Sequence, residues 1–100
     1  MEENDFAPIQ YAGFYDVPRV FLVESGQQHL LFVSHFDESI DDYEDVYTVY
    51  VMPSGFRPPP TWEALESMAE RRLGTIKVSD VTFDESLRKG ISIDTFRLIV

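Results

Sequence analysis

The chain has 100 residues, of which 44% are hydrophobic and 14% aromatic, and its formal net charge is −10. This length and composition predict one small globular domain with a single core, spanning residues 1–100. Because the chain contains no cysteine, a disulfide framework, a thiolate metal site and a cysteine nucleophile are excluded.

The negative charge is concentrated in the first half of the chain. Residues 1–56 contain 11 acidic side chains and one base, whereas residues 57–100 contain seven of each. Nucleic acids and anionic membranes are themselves dense in negative charge and are repelled by such a surface. We therefore expect no direct binding to nucleic acid or to membrane.

The N-terminal segment MEENDFAP has no basic region followed by an apolar run. No stretch approaches the roughly 18 apolar residues that a membrane-spanning helix needs. A soluble cytoplasmic protein is therefore the expectation, with residues 1–5 flexible. The aromatic segment that follows contains Pro8, which suits an edge strand or an irregular strap better than a central strand.

Three apolar segments between Pro18 and Met52 read PRVFLVE, QHLLFVS and VYTVYVM. They are rich in β-branched and aromatic residues, and Ser25-Gly26 supplies a turn between the first two. Alternate residues are apolar on both faces of the first two segments, so both faces need cover. The pattern predicts a three-stranded antiparallel meander at the centre of the fold.

The predicted fold class is α+β. A stripe at spacings of three and four indicates an amphipathic helix over about residues 61–73, formed by Trp62, Leu65, Met68, Ala69 and Leu73. Thr61 suits the N-cap of this helix and Gly74 its C-terminal end. We expect the meander, with short terminal strands added, to pack against this helix and against a shorter helical turn over about residues 84–89.

The loop between the second and third segments reads HFDESIDDYED and contains six acids, namely Asp37, Glu38, Asp41, Asp42, Glu44 and Asp45. An EF-hand loop starting at Asp37 would need glycine at its sixth position and glutamate at its twelfth. Asp42 and Thr48 stand there, so the calcium interpretation fails. Two interpretations stay open: a docking surface for a partner, and a solvated loop whose charge prevents edge-to-edge strand pairing.

No motif for catalysis or for a cofactor stands out. His29 and His35 lie six positions apart on a predicted strand, about 20 Å at the usual rise per residue, which is too far to share one metal ion. Neither a G-x-S-x-G nucleophile turn nor a glycine-rich phosphate loop is present. The clustered acids lie in a wet loop, whereas a general acid needs burial. We expect a protein that is not an enzyme and binds no cofactor or metal.

Two short motifs carry a family resemblance. Residues 15–21 read YD-x-P-x-x-F, and residues 74–80 read G-x-I-x-V-x-D. Between them the same order includes Leu30, Asp37, Tyr50-Val51, Pro53 and Leu65. Over about residues 11–83 the chain thereby resembles a family of small uncharacterised bacterial domains. The resemblance implies a similar order of strands, and because that family has no established activity it implies no catalytic residue.

These observations predict a non-catalytic module that binds a protein partner through its acidic N-terminal half, with the six acids of the loop as the binding site. The partner would be a basic protein or a second copy of the chain. One alternative is a phage-type inhibitor that mimics nucleic-acid charge and blocks a nucleic-acid-binding protein. Another is a small-ligand binder or enzyme with a pocket between sheet and helix, lined by Tyr47, Tyr50, Trp62 and Arg57.

Overall fold

The computed structural model of the chain describes residues 6–25, 28–53, 65–84 and 90–92. Within these ranges a one-turn helix, α1 (Leu65–Met68), follows the first six strands, and a 3₁₀ turn spans Val78–Asp80. The strands are β1 (Phe6–Tyr15), β2 (Val17–Ser25), β3 (Gln28–Val33), β4 (Phe36–Asp37), β5 (Asp42–Tyr43), β6 (Val46–Val51), β7 (Arg71–Lys77) and β8 (Gly90–Ser92).

Six of these strands form one antiparallel sheet, curved into a half-barrel, in the order β7-β6-β3-β2-β1-β8. The three central strands expected from the sequence are β2, β3 and β6, and they lie side by side. Phe21 is paired with Phe32, which is paired in turn with Val49. Strands β4 and β5 form a separate two-stranded hairpin in the connection between β3 and β6.

One face of the sheet carries the larger core. Its centre is aromatic: the Phe21 and Phe32 rings are stacked with centroids 4.7 Å apart, and Tyr47 meets Phe21 edge-on at 5.2 Å. The chain after the 3₁₀ turn covers this face, because Val81 is buried in the core and the Phe83 ring lies 5.7 Å from that of Phe21. The other buried members are Val23, Leu30, Val49, Val51, Ile76 and Ile91.

The opposite face of the sheet carries a smaller core. Leu22, Leu31 and Val33 of the central strands are buried there. They are covered by Met52, which follows β6, and by Leu65, which belongs to α1. Both side chains are almost completely buried. Both faces of the central strands are therefore covered by the chain itself, as their apolar sequence requires.

The α+β prediction is wrong, because the fold is a mostly antiparallel sheet rather than a sheet packed on a long helix. In the described part of the predicted helix, only Leu65–Met68 is helical, and Arg71 already begins β7. The predicted stripe is divided between two sides of the sheet: Leu65 packs in the smaller core and Leu73 against the larger one. Pairing with β7 satisfies the backbone groups of β6 that would otherwise be left unpaired at the edge of the sheet.

Several other expectations concern parts of the chain that the structure describes only in part. Residues 1–5, 61–64 and 85–89 lie outside the described residues, and Asp84 belongs to no helix.

The segment expected as an edge strand or a strap is β1, which lies between β2 and β8 instead. Its pairing with β8 covers only Phe6–Pro8, so Pro8 stands at the end of a three-residue contact, where its missing N–H is tolerated.

Gly74 does not end a helix as expected but forms a bulge within β7. The register between β6 and β7 shifts there, because Val49 is paired with Gly74 and the next residue, Tyr50, with Arg72. Leu73 is the extra residue of this bulge and packs against the larger core. The φ angle of Gly74 is +152°, a conformation that side chains with a Cβ rarely adopt.

Replacing Gly74 by alanine should lower the free energy of unfolding by about 1–3 kcal/mol, the usual cost of a strained backbone conformation. A Cβ at this position would meet no atom within 4 Å, so the loss comes from the backbone and not from a clash. Denaturant unfolding measures it. Thr75→Ala, an exposed neighbour on the same strand, is the control, and equal midpoints for the two variants would contradict the bulge.

The Tyr47 hydroxyl is the polar group at the centre of the larger core. Its side chain is fully buried, and the hydroxyl donates a hydrogen bond of 2.6 Å to the carbonyl oxygen of Pro18, which is also buried. Burial raises the pKa of Tyr47 above its ordinary value of 10, and the charge of Arg19 opposes this only in part. The bond ties β6 to the start of β2.

Tyr47→Phe should cost about 1–3 kcal/mol of stability, since the Pro18 carbonyl is then left buried without its donor. Because the pKa of Tyr47 is higher in the folded than in the unfolded state, wild-type stability is full below pH 10 and falls as the pH rises beyond it. Unfolding followed from pH 7 to 11 should show a smaller alkaline fall in Tyr47→Phe. An identical fall in both proteins would be evidence against the buried bond.

Candidate interaction site: the acidic hairpin

The six acids predicted as a binding site all lie on one ordered element. We call residues 36–45 the acidic hairpin: strand β4, a turn over residues 38–41, strand β5, and Glu44 and Asp45. Phe36 is paired with Tyr43 and Asp37 with Asp42. The hairpin therefore has an aromatic pair on one side and a carboxylate pair on the other.

Asp37 builds the turn of the hairpin. Its Oδ1 accepts hydrogen bonds from the Ser39 hydroxyl at 2.7 Å and from the Ser39 amide at 2.9 Å. The Ser39 hydroxyl, followed by the Ser39 amide, lowers the pKa of Asp37 below its ordinary value of 3.8. Asp41 completes the turn with a φ of +52°, a left-handed conformation that aspartate tolerates better than most residues.

The six carboxylates divide into two groups of three. Those of Asp37, Asp42 and Glu44 contact groups of the chain itself: Asp42 Oδ1 accepts the Tyr43 amide at 2.7 Å, and Glu44 faces a histidine. The other three side chains make no hydrogen bond or ion pair with any residue in the described ranges and are exposed; they belong to Glu38, Asp41 and Asp45. This second group is the charge that the hairpin exposes at the surface.

The base of the hairpin is tied to the central sheet. The buried Ser34 donates its amide to the Arg19 carbonyl at 2.7 Å and its hydroxyl to the Glu44 carbonyl at 2.8 Å. The Glu44 amide donates to the His35 carbonyl at 2.8 Å, which continues the hairpin ladder. The Arg19 guanidinium lies 5.1 Å from the centre of the Tyr43 ring, within cation–π range. The hairpin is thus held at its root by backbone, hydroxyl and aromatic contacts.

A second set of contacts joins the hairpin to α1. His35 Nε2 lies 2.9 Å from Glu66 Oε2, and His35 Nδ1 lies 3.5 Å from Glu44 Oε1. The same Glu66 oxygen accepts the Tyr50 hydroxyl at 2.7 Å. Burial first, then the hydrogen bond and charge of Glu66, raise the pKa of Tyr50, and Arg72 opposes the shift. We call this chain of contacts the His35 brace.

The hairpin also exposes two large apolar side chains that sequence reasoning missed. Phe36 is 50% exposed and Ile40 is 60% exposed. Phe36 packs edge-on against Tyr43, with ring centroids 5.3 Å apart. The sequence does contain a signal for this surface, because an aromatic and an aliphatic residue stand within the run of acids. A count of charges does not reveal them. Exposed apolar groups with a charged rim are typical of protein-binding surfaces.

Tyr47 cannot line the hypothetical pocket between sheet and helix, because it lies on the opposite face of the sheet from α1. Tyr47 belongs to the larger core on one face of the sheet, whereas Tyr50 lies on the opposite face and bonds to Glu66. Trp62 and Arg57 lie outside the described residues. In the described ranges, no group of three or more histidine or acidic side chains is placed to hold a metal ion. The exposed groups of the hairpin are carboxylates and apolar side chains.

No protein-family model matches the chain, and no characterised protein or solved structure is significantly similar to it. The resemblance to small bacterial domains therefore stays a prediction. Within the described ranges, none of the helical segments has the length and apolar character of a membrane-spanning helix.

Ser39→Ala should raise the pKa of Asp37 towards 3.8, because it removes the larger of the two causes that lower it. In wild type the Asp37–Ser39 contacts are fully present above pH 3.8, and they are lost as the pH falls through the lowered pKa of Asp37. Because the pKa of Asp37 is higher in the variant, its turn should lose order at a higher pH than that of wild type. Carboxyl chemical shifts measured by NMR test this. Ser79→Ala, at another exposed serine, is the control; an unmoved Asp37 titration would rule out the turn described.

Proposed function

We propose that the protein is a non-catalytic interaction module that binds a protein partner through the acidic hairpin. The observation that carries the proposal is the exposure of Phe36 and Ile40 on an element that is held in place at both its turn and its base. Single exposed apolar residues are common on protein surfaces. Two on one braced hairpin, surrounded by carboxylates, favour a surface that is covered when a partner binds.

The two kinds of side chain have different roles in the proposed binding. Burial of Phe36 and Ile40 supplies affinity, at about 25 cal/mol for each Å² of apolar surface removed from water. The three unbonded carboxylates attract a basic partner and speed its association. The partner that fits is therefore a protein with an apolar depression bordered by lysine or arginine.

The order of the hairpin strengthens this proposal. A flexible loop would lose conformational entropy on binding, and that loss reduces affinity. Here the Asp37–Ser39 contacts hold the turn, and Ser34 and Arg19 hold the base before any partner arrives. The His35 brace uses the histidine and two glutamates for support, which favours a scaffold over a site for acid–base chemistry.

A nucleic-acid mimic is a narrower version of the same proposal. Imitation of a phosphate backbone needs carboxylates spread over an extended face. In the described chain the uncommitted carboxylates of the hairpin fall within residues 38–45, beside two apolar groups. A mixed apolar and acidic contact fits this arrangement better, and DNA added as a competitor distinguishes the two versions.

The apolar part of the proposal is tested by Ile40→Asp, with capture of the partner from native lysate followed by affinity measurement on the purified pair. We expect affinity to fall by at least about thirtyfold, the size of a 2 kcal/mol hot spot. Met68→Asp is the matched control, because Met68 is a large apolar residue that is 40% exposed but belongs to α1 and not to the hairpin. Equal affinity of the two variants, with both folded, would refute binding through the hairpin.

The charged part is tested in the same pair by Glu38→Gln with Asp45→Asn, which leaves the hydrogen-bonded Asp37, Asp42 and Glu44 intact. The association rate and its salt dependence should fall while the dissociation rate changes little. Asp80→Asn, an exposed acid of the 3₁₀ turn, is the control. An association rate constant equal to that of wild type would contradict the role of these carboxylates in attracting the partner.

A further inference from the structure

Strand β7 is an outer strand of the sheet and carries exposed positive charge. It is paired with β6 on one side and has no strand on its other side among the described residues. Arg71, Arg72 and Lys77 are exposed on it. None of the three makes an ion pair with a carboxylate of the described chain. Positive charge of this density stands out in a protein whose net charge is −10.

The backbone of β7 also has groups directed away from the sheet. The Val78 amide donates to the Asp45 carbonyl at 2.8 Å, so Val78 and, two positions earlier, Ile76 direct their backbone groups towards β6. In an antiparallel ladder the residues between them point the other way. Thr75 and Lys77 therefore present N–H and C=O groups at the outer edge.

We infer that this edge of β7 binds the acidic hairpin of a second copy of the chain. The inference rests on the function proposed for the hairpin and adds a second copy of the chain to its partners. The three uncommitted carboxylates of the hairpin meet the three exposed cations of β7, and a hairpin strand aligns along the Thr75 and Lys77 backbone. Each copy carries both surfaces, so two copies exchange the contact reciprocally and form a closed dimer.

The charges of β7 decide which occupant fits. Pairing of β7 with a second β7 would set cations against cations, which is how basic residues protect edge strands from one another. An acidic strand placed beside β7 would instead be attracted by these cations. The exposed Phe36 ring gains a guanidinium of Arg71 or Arg72 to stack on, a contact of the kind that Arg19 and Tyr43 already make at 5.1 Å within one copy.

The net charge of −10 on each copy opposes association at long range. At physiological ionic strength charges are screened over about 8 Å, so repulsion between distant surfaces is weakened more than attraction between groups in contact. Short-range complementarity between hairpin and strand then outweighs the overall repulsion. The test is made at this ionic strength for that reason.

The experiment uses two charge-reversed variants of the full chain. One carries Glu38→Lys and Asp45→Lys on the hairpin, and the other carries Arg71→Glu and Lys77→Glu on β7; each changed residue is exposed. Analytical ultracentrifugation gives the association constant of wild type, of each variant alone and of their equimolar mixture. Wild type should dimerise, each variant alone should dimerise at least about tenfold more weakly, and the mixture should recover association because opposite charges again face each other.

A wild type that stays monomeric, or a mixture that does not associate, overturns the inference. Dimerisation that persists in the hairpin variant overturns it too, since the hairpin would then not be the contact. The proposed function is judged separately by the loss of foreign-partner affinity in Ile40→Asp. A monomeric wild type with a hairpin-dependent partner leaves that function standing while this inference falls.

Discussion

The two apolar faces of β2 and β3 are the constraint on which the rest of the structure depends. Phe21 and Phe32 on one face, and Leu22 and Leu31 on the other, cannot remain in water. The chain must therefore supply a cover on each side: α1 on the smaller core, and the segment around Val81 on the larger one. The short helix and the return of the chain to β8 both follow from this requirement.

The acidic hairpin contributes no side chain to either of these two cores. Its base is nevertheless held by groups of the sheet, through Ser34 and Arg19, and by α1 through Glu66. The turn holds itself through Asp37 and Ser39. A rigid core thus supports a projecting element that has both apolar and charged groups exposed, and this combination is what links the fold to the proposed binding.

The central strands were predictable from sequence because β-branched and aromatic residues on both faces leave few alternatives to a buried sheet. The helix over 61–73 was not, because a spacing of three and four does not reveal that Leu65 and Leu73 pack on opposite sides of a sheet. The presence of all six acids in the connection between β3 and β6 was predictable from the sequence, and their role as a binding site stays a prediction. Their division into bonded and unbonded groups depends on hairpin pairing, and the roles of Phe36, Ile40 and the His35 brace depend on contacts between distant parts of the chain.

The acidic hairpin is an ordered projection that the sheet and α1 hold in place. Amide hydrogen exchange tests this most directly, because the Glu44 amide donates to the His35 carbonyl at 2.8 Å at the base of the hairpin. We expect this amide to be protected to an extent comparable with amides of the central strands β2 and β3. Exchange of the Glu44 amide at the rate of an unstructured peptide would contradict it.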